Sequence, residues 1–305
     1  MDTSMPSGRS TSASQNLQQV MRQHPLVSFF FLAYAISWIL SIPGILTQWS
    51  AVPNPTLFTL FFTIKSFGPF LAAILMTHIT EGKEGLRRLR QRIRQTRAGW
   101  QWYAFILLGV PAFMLLGPVV LPGGLASFQA PKPAFFAVNF LISFVLIFFG
   151  GGPLGEEPGW RGYALPRMQS RYGALRATML LGVLWTFWHL PDFFTSAQGG
   201  GPVAGLSPFY TRLPLFFVMV MSLSFIFTWV FNHTGGSIFI ALVLHAIFNT
   251  FGSTVQPLFL APIISSTDLP FLIGTVLLAI LIAILTRGKL GYVPGPEQSS
   301  SSGDR

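Results

Sequence analysis

Eight long apolar stretches, separated by short polar segments, constrain the fold of this 305-residue chain more than any other feature. A helix needs about 20 mostly apolar residues to cross a bilayer, where every backbone polar group must find its partner within the segment. The stretches lie approximately at residues 27–47, 56–80, 102–121, 134–152, 177–195, 214–232, 237–254 and 269–286. They predict an all-α, polytopic membrane protein with about eight transmembrane helices.

The composition supports the same fold class. Charged residues make up only 9% of the chain and hydrophobic residues 51%, whereas ordinary soluble domains are about 25% charged. These values exclude intrinsic disorder, coiled coils and collagen. The chain contains no cysteine, which excludes disulfides, thiolate metal sites and a cysteine nucleophile.

We expect three parts along the chain: a polar N-terminal tail over residues 1–26, a single membrane domain over 27–290, and a disordered tail over 291–305. The first apolar stretch lacks a small-residue cleavage site at a suitable distance, so we interpret it as a retained span. No internal repeat is visible, and the two halves do not resemble each other as they do in many transporters.

The distribution of basic residues predicts the orientation. With eight spans, all but three of the 19 Lys and Arg residues fall on the side that holds both termini; the exceptions are Lys65, Lys132 and Arg212. Because cytoplasmic loops are rich in Lys and Arg, both termini are predicted to be cytoplasmic in the cell membrane. The basic stretch 81–99 is typical of an amphipathic helix on anionic lipid headgroups, and equally of a simple orientation signal; a nucleic-acid partner is not expected.

Glu156 and Glu157 form the only adjacent pair of carboxylates, and they follow a glycine-rich break at the end of the fourth stretch. Two neighbouring carboxylates in a dry site cannot both ionise cheaply. If a helix begins here with Pro158 at its first position, Glu157 and Arg161 share one helical face and form a salt bridge. Glu156 then projects in another direction without a committed counter-ion, as a general base would.

Two histidines lie inside later apolar stretches. His245 precedes Asn249 by four residues, and His189 follows Trp185 by four, so that each pair lies on one helical stripe. A single histidine in an apolar span is more often a buried structural residue. Together with Glu156, however, these groups provide the base, the water-orienting partner and the oxyanion donors that a water-activating hydrolase needs.

Two other charged residues are expected near the membrane interfaces, and Lys65 is not a good candidate for such a site. Lys65 is expected to extend its side chain to a membrane interface, and Asp192 is expected to lie at one.

The order Glu156-Glu157-x-x-x-Arg161, then His189, then His245-x-x-x-Asn249 resembles the CPBP family of intramembrane proteases. That family includes CAAX prenyl endopeptidases and bacterial proteins of the bacteriocin-immunity or Abi-like type. The resemblance covers about residues 150–255 and includes the eight-helix arrangement. One position departs from the family, because Trp185 stands where phenylalanine is usual; we expect altered packing around His189.

The resemblance implies a glutamic endopeptidase with its active site in an intramembrane cavity. Glu156 and His189 would activate water, His245 and Asn249 would stabilise the oxyanion or hold the scissile carbonyl, and Glu157 with Arg161 would support the first motif. The implied substrate is a lipidated, prenylated CAAX-like protein or a membrane-embedded peptide, and no cofactor is implied.

Three alternatives remain open from the residues alone. A zinc-dependent variant would use two histidines and a glutamate, but the chain has no His-Glu-x-x-His motif and asparagine is an unusual zinc ligand. A non-enzymatic immunity or scaffold protein would use the same fold to bind a partner. A transporter would use the buried histidines and glutamates as a substrate or proton path.

Overall fold

A computed structural model describes residues 13–50, 52–259 and 269–294. Within these ranges the chain forms helices and connecting segments, with only two isolated β-bridges, Phe128 to Phe259 and Gly201 to Gly205. The prediction of an all-α fold is therefore confirmed. The predicted disordered tail falls largely on residues 295–305, which lie outside the described residues.

The α-helices are, in chain order, α1 (Ala13–Gln23), α2 (Pro25–Trp49), α3 (Pro55–Lys65), α4 (Gly68–Ile93), α5 (Trp100–Ala104), α6 (Val110–Val120), α7 (Pro133–Phe149), α8 (Gly152–Gly159), α9 (Leu165–Trp188), α10 (Ser207–Thr211), α11 (Leu213–His233), α12 (Ile238–Val255) and α13 (Leu269–Leu285). π-Helical turns, Phe105–Gly109 and Trp160–Ala164, join α5 to α6 and α8 to α9.

Every one of the eight apolar stretches contains a helix. Five helical segments of the described chain are long and apolar enough to cross a membrane, and a sixth results if the bent pair Pro133–Phe149 and Gly152–Phe194 is one span. The apolar helix α13 has 17 residues. A polytopic membrane protein is therefore confirmed, whereas the number of eight crossings stays a prediction.

The second apolar stretch, predicted as one helix, is broken after Lys65. Pro69 lacks the N–H that would bond to the Lys65 carbonyl four residues earlier, so the helix cannot continue regularly. Ser37 of α2 satisfies that carbonyl, its hydroxyl donating a hydrogen bond of 2.7 Å. The break leaves Lys65 at the end of α3, in the interior of the protein.

The basic segment continues α4 beyond a bend at Gly82, whose positive φ of 65° suits glycine. The helix ends at Ile93, earlier than the predicted residue 99. Arg92 turns inward, and its guanidinium donates to the carbonyls of Gly162 and Gly236 at 3.0 Å each. Part of this segment therefore ties the bundle together, and its contact with anionic headgroups stays a prediction.

Helix α12 lies in the core of the bundle. Fourteen of its 18 residues are buried, and it packs against α7, α8 and α11. Helix α7, by contrast, has no buried residue, as expected of a helix on the lipid-facing periphery. His245 of α12 is thus held in the interior.

Candidate active site

The four side chains predicted to be catalytic line one cavity of about 650 Å³. Glu156 belongs to α8, His189 follows the last residue of α9, and His245 and Asn249 lie on α12. The structure therefore brings together three segments that are far apart in the sequence. A base, a water-orienting group and oxyanion donors must share one space in a hydrolase, and this cavity meets that requirement.

Helix α8 begins earlier than the sequence predicted. It starts at Gly152 with Pro153 in the first turn, where a missing N–H costs nothing. The predicted start at Pro158 was wrong, because Pro158 lies inside the helix. Glu156 and Glu157 are consequently both helical, and their side chains project about 100° apart around the helix axis.

Two glycines let α8 approach the break between α3 and α4. A Cβ atom on Gly155 would lie 2.4 Å from the Ser66 carbonyl oxygen, and one on Gly159 would lie 2.5 Å from Pro69 Cβ. Small residues four apart permit such close helix contacts in membranes. This packing holds Glu156 close to the end of α3.

Glu157 and Arg161 form the predicted salt bridge. Arg161 Nη1 lies 3.1 Å from Glu157 Oε1, and both side chains are fully buried. The guanidinium packs against the rings of both Trp185 and Phe227, at 4.3 and 4.2 Å from their centroids. Glu157 Oε1 also lies 2.8 Å from His245 Nδ1. The Glu157–Arg161 ion pair therefore also contacts His245, one of the predicted catalytic residues.

Glu156 faces the cavity without an arginine or lysine partner. Its Oε2 accepts hydrogen bonds from the indole N–H groups of Trp185 at 2.7 Å and Trp160 at 3.3 Å. Nε2 of His189 lies 4.0 Å from the same oxygen. The predicted consequence of tryptophan at position 185, altered packing alone, was incomplete, because phenylalanine could not make the contact to Glu156.

His189 lies directly after the end of α9. The helix ends at Trp188 and is followed by the 3₁₀ turn Leu190–Phe194, because Pro191 disfavours continuation of the α-helix. His189 Nδ1 lies 3.0 Å from Asp192 Oδ2. The ring therefore has Asp192 on one edge and Glu156 on the other.

The prediction that Lys65 extends to a membrane interface was wrong, because Asp192 and Lys65 form a buried pair. They are 4% and 3% exposed, and Lys65 Nζ lies 2.6 Å from Asp192 Oδ1. Lys65 also lies over the Trp188 ring, 4.5 Å from its centroid. Two signals pointed to this pair: the His189-x-x-Asp192 spacing, and a lone lysine in the middle of an apolar stretch.

His245 and Asn249 lie on the cavity side of α12, as their spacing predicted. The contact with Glu157 places the ring proton of His245 on Nδ1, since an ionised carboxylate only accepts hydrogen bonds. Nε2 then becomes a donor when the ring is an imidazolium. Asn249, half-buried at the cavity wall, carries an amide N–H₂ group that donates in every state.

The remaining cavity wall is largely apolar. It comes from α3, α7 and α11, through residues that include Phe62, Ile147, Phe216, Met219 and Leu223. Helix α3 packs mainly on α2, whereas α7 packs on α12 and α8. Among the described residues, no three His, Asp or Glu side chains converge as metal ligands.

Two comparisons with known proteins show similarity to CAAX prenyl proteases. The model of a family described as "Type II CAAX prenyl endopeptidase Rce1-like" matches residues 137–251, a range that contains Glu156, His189, His245 and Asn249. "CAAX prenyl protease 2" of the archaeon Methanococcus maripaludis is 24% identical over 225 residues, which cover 72% of this chain and 81% of the relative.

Proposed function

We propose that the chain is a member of the CPBP family of CAAX prenyl endopeptidases, which it resembles over residues 137–251, and that it is a glutamic endopeptidase that hydrolyses a peptide bond inside its intramembrane cavity. The observation that carries this proposal is the position of Glu156. Its carboxylate faces the cavity, and its Oε2 lies 4.0 Å from His189 Nε2. One water molecule fits between two acceptors at this separation, with hydrogen bonds of about 2.8 Å to each.

Glu156 acts first as a base. It accepts a proton from the water while the water oxygen bonds to the carbonyl carbon, and the carbonyl oxygen takes up the negative charge. Glu156 then returns the proton to the amide nitrogen as the C–N bond breaks, which leaves a carboxylic acid and an amine. General acid–base catalysis of this kind contributes about 10²- to 10⁴-fold to the rate.

His245 and Asn249 provide the donors for the oxyanion. The 2.8 Å contact between His245 Nδ1 and Glu157 Oε1 orients the ring, and Nε2 presents N–H to the cavity when the ring carries both protons. Removal of one such donor typically costs about 10²- to 10³-fold in kcat. Arg161 neutralises Glu157 and so holds this part of the site in shape.

The substrate is a lipidated, prenylated CAAX-like protein or a membrane-embedded peptide. The cavity has a volume of about 650 Å³, a largely apolar wall and a few convergent polar groups. Such a cavity suits a lipid chain or an apolar helix beside one polar peptide bond. The probe is a fluorescence-quenched farnesylated peptide, compared with its unmodified form and with a transmembrane peptide, in H₂¹⁸O.

Hydrolysis predicts one ¹⁸O atom in the new carboxyl group, read by mass spectrometry. Absence of cleavage of all three peptides contradicts the proposal and favours a binding protein. Substrate-driven counterflow in liposomes without cleavage favours a transporter. A chelator is added in parallel: unchanged turnover agrees with a mechanism that needs no metal, and lost turnover that zinc restores contradicts it.

We place both termini on the cytoplasmic side of the cell membrane, as the distribution of basic residues indicates. The chain has no cysteine, so single cysteines can be labelled without background. A membrane-impermeant maleimide applied to intact cells is expected to label Ser207→Cys and to leave Ser170→Cys unlabelled; both serines are exposed. The opposite pattern would contradict this orientation.

A further inference from the structure

The buried ion pair between Lys65 and Asp192 takes no part in the proton transfers of the proposed hydrolysis. Lys65 Nζ lies 2.6 Å from Asp192 Oδ1 and 2.7 Å from Asp192 Oδ2, and both side chains are almost fully buried. Lys65 comes from the end of α3 and Asp192 from the turn after α9. Replacing such a pair by apolar residues is often neutral or stabilising, so packing alone does not account for it.

The pair adjoins His189. Oδ2 of Asp192 lies 3.0 Å from His189 Nδ1, and the positive charge of Lys65 favours the ionised carboxylate. An ionised carboxylate accepts hydrogen bonds and donates none. The proton of the neutral imidazole is consequently held at Nδ1, because the hydrogen bond at one nitrogen decides which tautomer is present.

The other edge of the ring then has a defined role. With the proton at Nδ1, Nε2 carries a lone pair, and Nε2 is the atom that lies 4.0 Å from Glu156 Oε2. A water between them has two O–H groups and meets two acceptors, so its oxygen lone pairs are left free for the carbonyl carbon. In the other tautomer, Nε2–H would compete with the water for Glu156.

We propose that Asp192, paired with Lys65, is a positioning residue that holds His189 in the Nδ1–H tautomer and aims Nε2 at the catalytic water. The proposal rests on the proposed hydrolysis and deepens it. Asp192 acts through His189 and does not touch the reacting atoms. Lys65 lies outside the range matched by the family model, residues 137–251.

The first test is spectroscopic and needs no variant. In protein labelled with ¹⁵N-histidine, the signals of His189 are assigned by comparison with His189→Gln. We expect a neutral ring protonated at Nδ1. A ring protonated at Nε2 in the wild-type protein would overturn the proposal, whether or not any peptide is cleaved.

The second test replaces the ion pair by an apolar pair of similar size, Asp192→Leu with Lys65→Met, which leaves no buried charge without a partner. We expect similar thermal unfolding, a kcat at least about 100-fold lower, a KM within about threefold, and loss of the Nδ1–H signal of His189. A purely structural tie between α3 and the turn after α9 predicts none of these kinetic and spectroscopic changes.

A matched control comes from the buried hydroxyl pair Thr178 and Thr228, whose oxygen atoms lie 3.0 Å apart between α9 and α11. The double variant Thr178→Val with Thr228→Val also makes a polar contact of α9 apolar, and its kcat should stay within about threefold of wild type. A kcat of the Asp192 and Lys65 double variant as high as that of the control would overturn the proposal. Inactive wild-type protein would contradict the proposed hydrolysis, and the tautomer measurement would still decide the role of Asp192.

Discussion

Replacement of Arg161 by methionine tests how much the buried Glu157–Arg161 ion pair contributes to the stability of the protein. The guanidinium is fully buried, lies 3.1 Å from Glu157 and packs against the rings of Trp185 and Phe227. Methionine restores most of the volume but none of the charge, so Glu157 loses its arginine partner and keeps only the contact with His245. Breaking a buried pair in this way costs about 3–5 kcal/mol, and we expect a loss of this size in the free energy of unfolding.

The assay is denaturant unfolding in detergent micelles, followed by the fluorescence of the eight tryptophans. Arg176→Met is the matched control, because Arg176 is exposed and its replacement should cost less than about 0.5 kcal/mol. Adding Glu157→Gln to Arg161→Met removes the uncompensated charge and should recover part of the loss. A loss below about 1 kcal/mol for Arg161→Met, or a double variant as unstable as the sum of the singles, would refute the argument.

Two further predictions concern Trp185 and Gly274. Trp185→Phe removes one hydrogen bond to Glu156 but keeps a ring and the Trp160 contact. One hydrogen bond to a charged group contributes about 1.5–3 kcal/mol, so the rate of peptide hydrolysis should fall by about 10- to 150-fold; complete loss would assign the indole an essential role. Gly274→Ala should destabilise the protein by about 1–3 kcal/mol in the same unfolding assay, because its Cβ would lie 1.5 Å from the Phe113 carbonyl oxygen. Gly252→Ala, with open space around its Cβ, is the control, and equal effects of the two substitutions would contradict the packing argument.

The sequence predicted the parts of the site that depend on helical spacing. Glu157 with Arg161, and His245 with Asn249, are four residues apart, and each pair lies on one helix face in the structure. Helical periodicity is a local property, so one sequence is enough to read it. The sequence also distinguished the roles of Glu156 and Glu157, because the side chains of neighbouring residues in a helix project in different directions.

The parts that depend on tertiary structure were missed. Lys65 and Asp192 are 127 residues apart, and they meet because α3 ends at Lys65, ahead of Pro69, and α9 ends before Pro191. Each proline is visible in the sequence, but the partner that satisfies the freed carbonyl, Ser37 in the first case, belongs to another helix. A buried lysine in an apolar stretch indicates a partner without saying which one.

The most direct measurement is the single-turnover rate of Glu156→Gln on the farnesylated peptide. Glutamine keeps the size of the side chain and an oxygen that accepts from Trp185, but it cannot take a proton from water. We predict that binding of the peptide and thermal unfolding stay close to wild type while the cleavage rate falls by at least about 1000-fold. Cleavage within about threefold of the wild-type rate would contradict the assignment of Glu156 as the base.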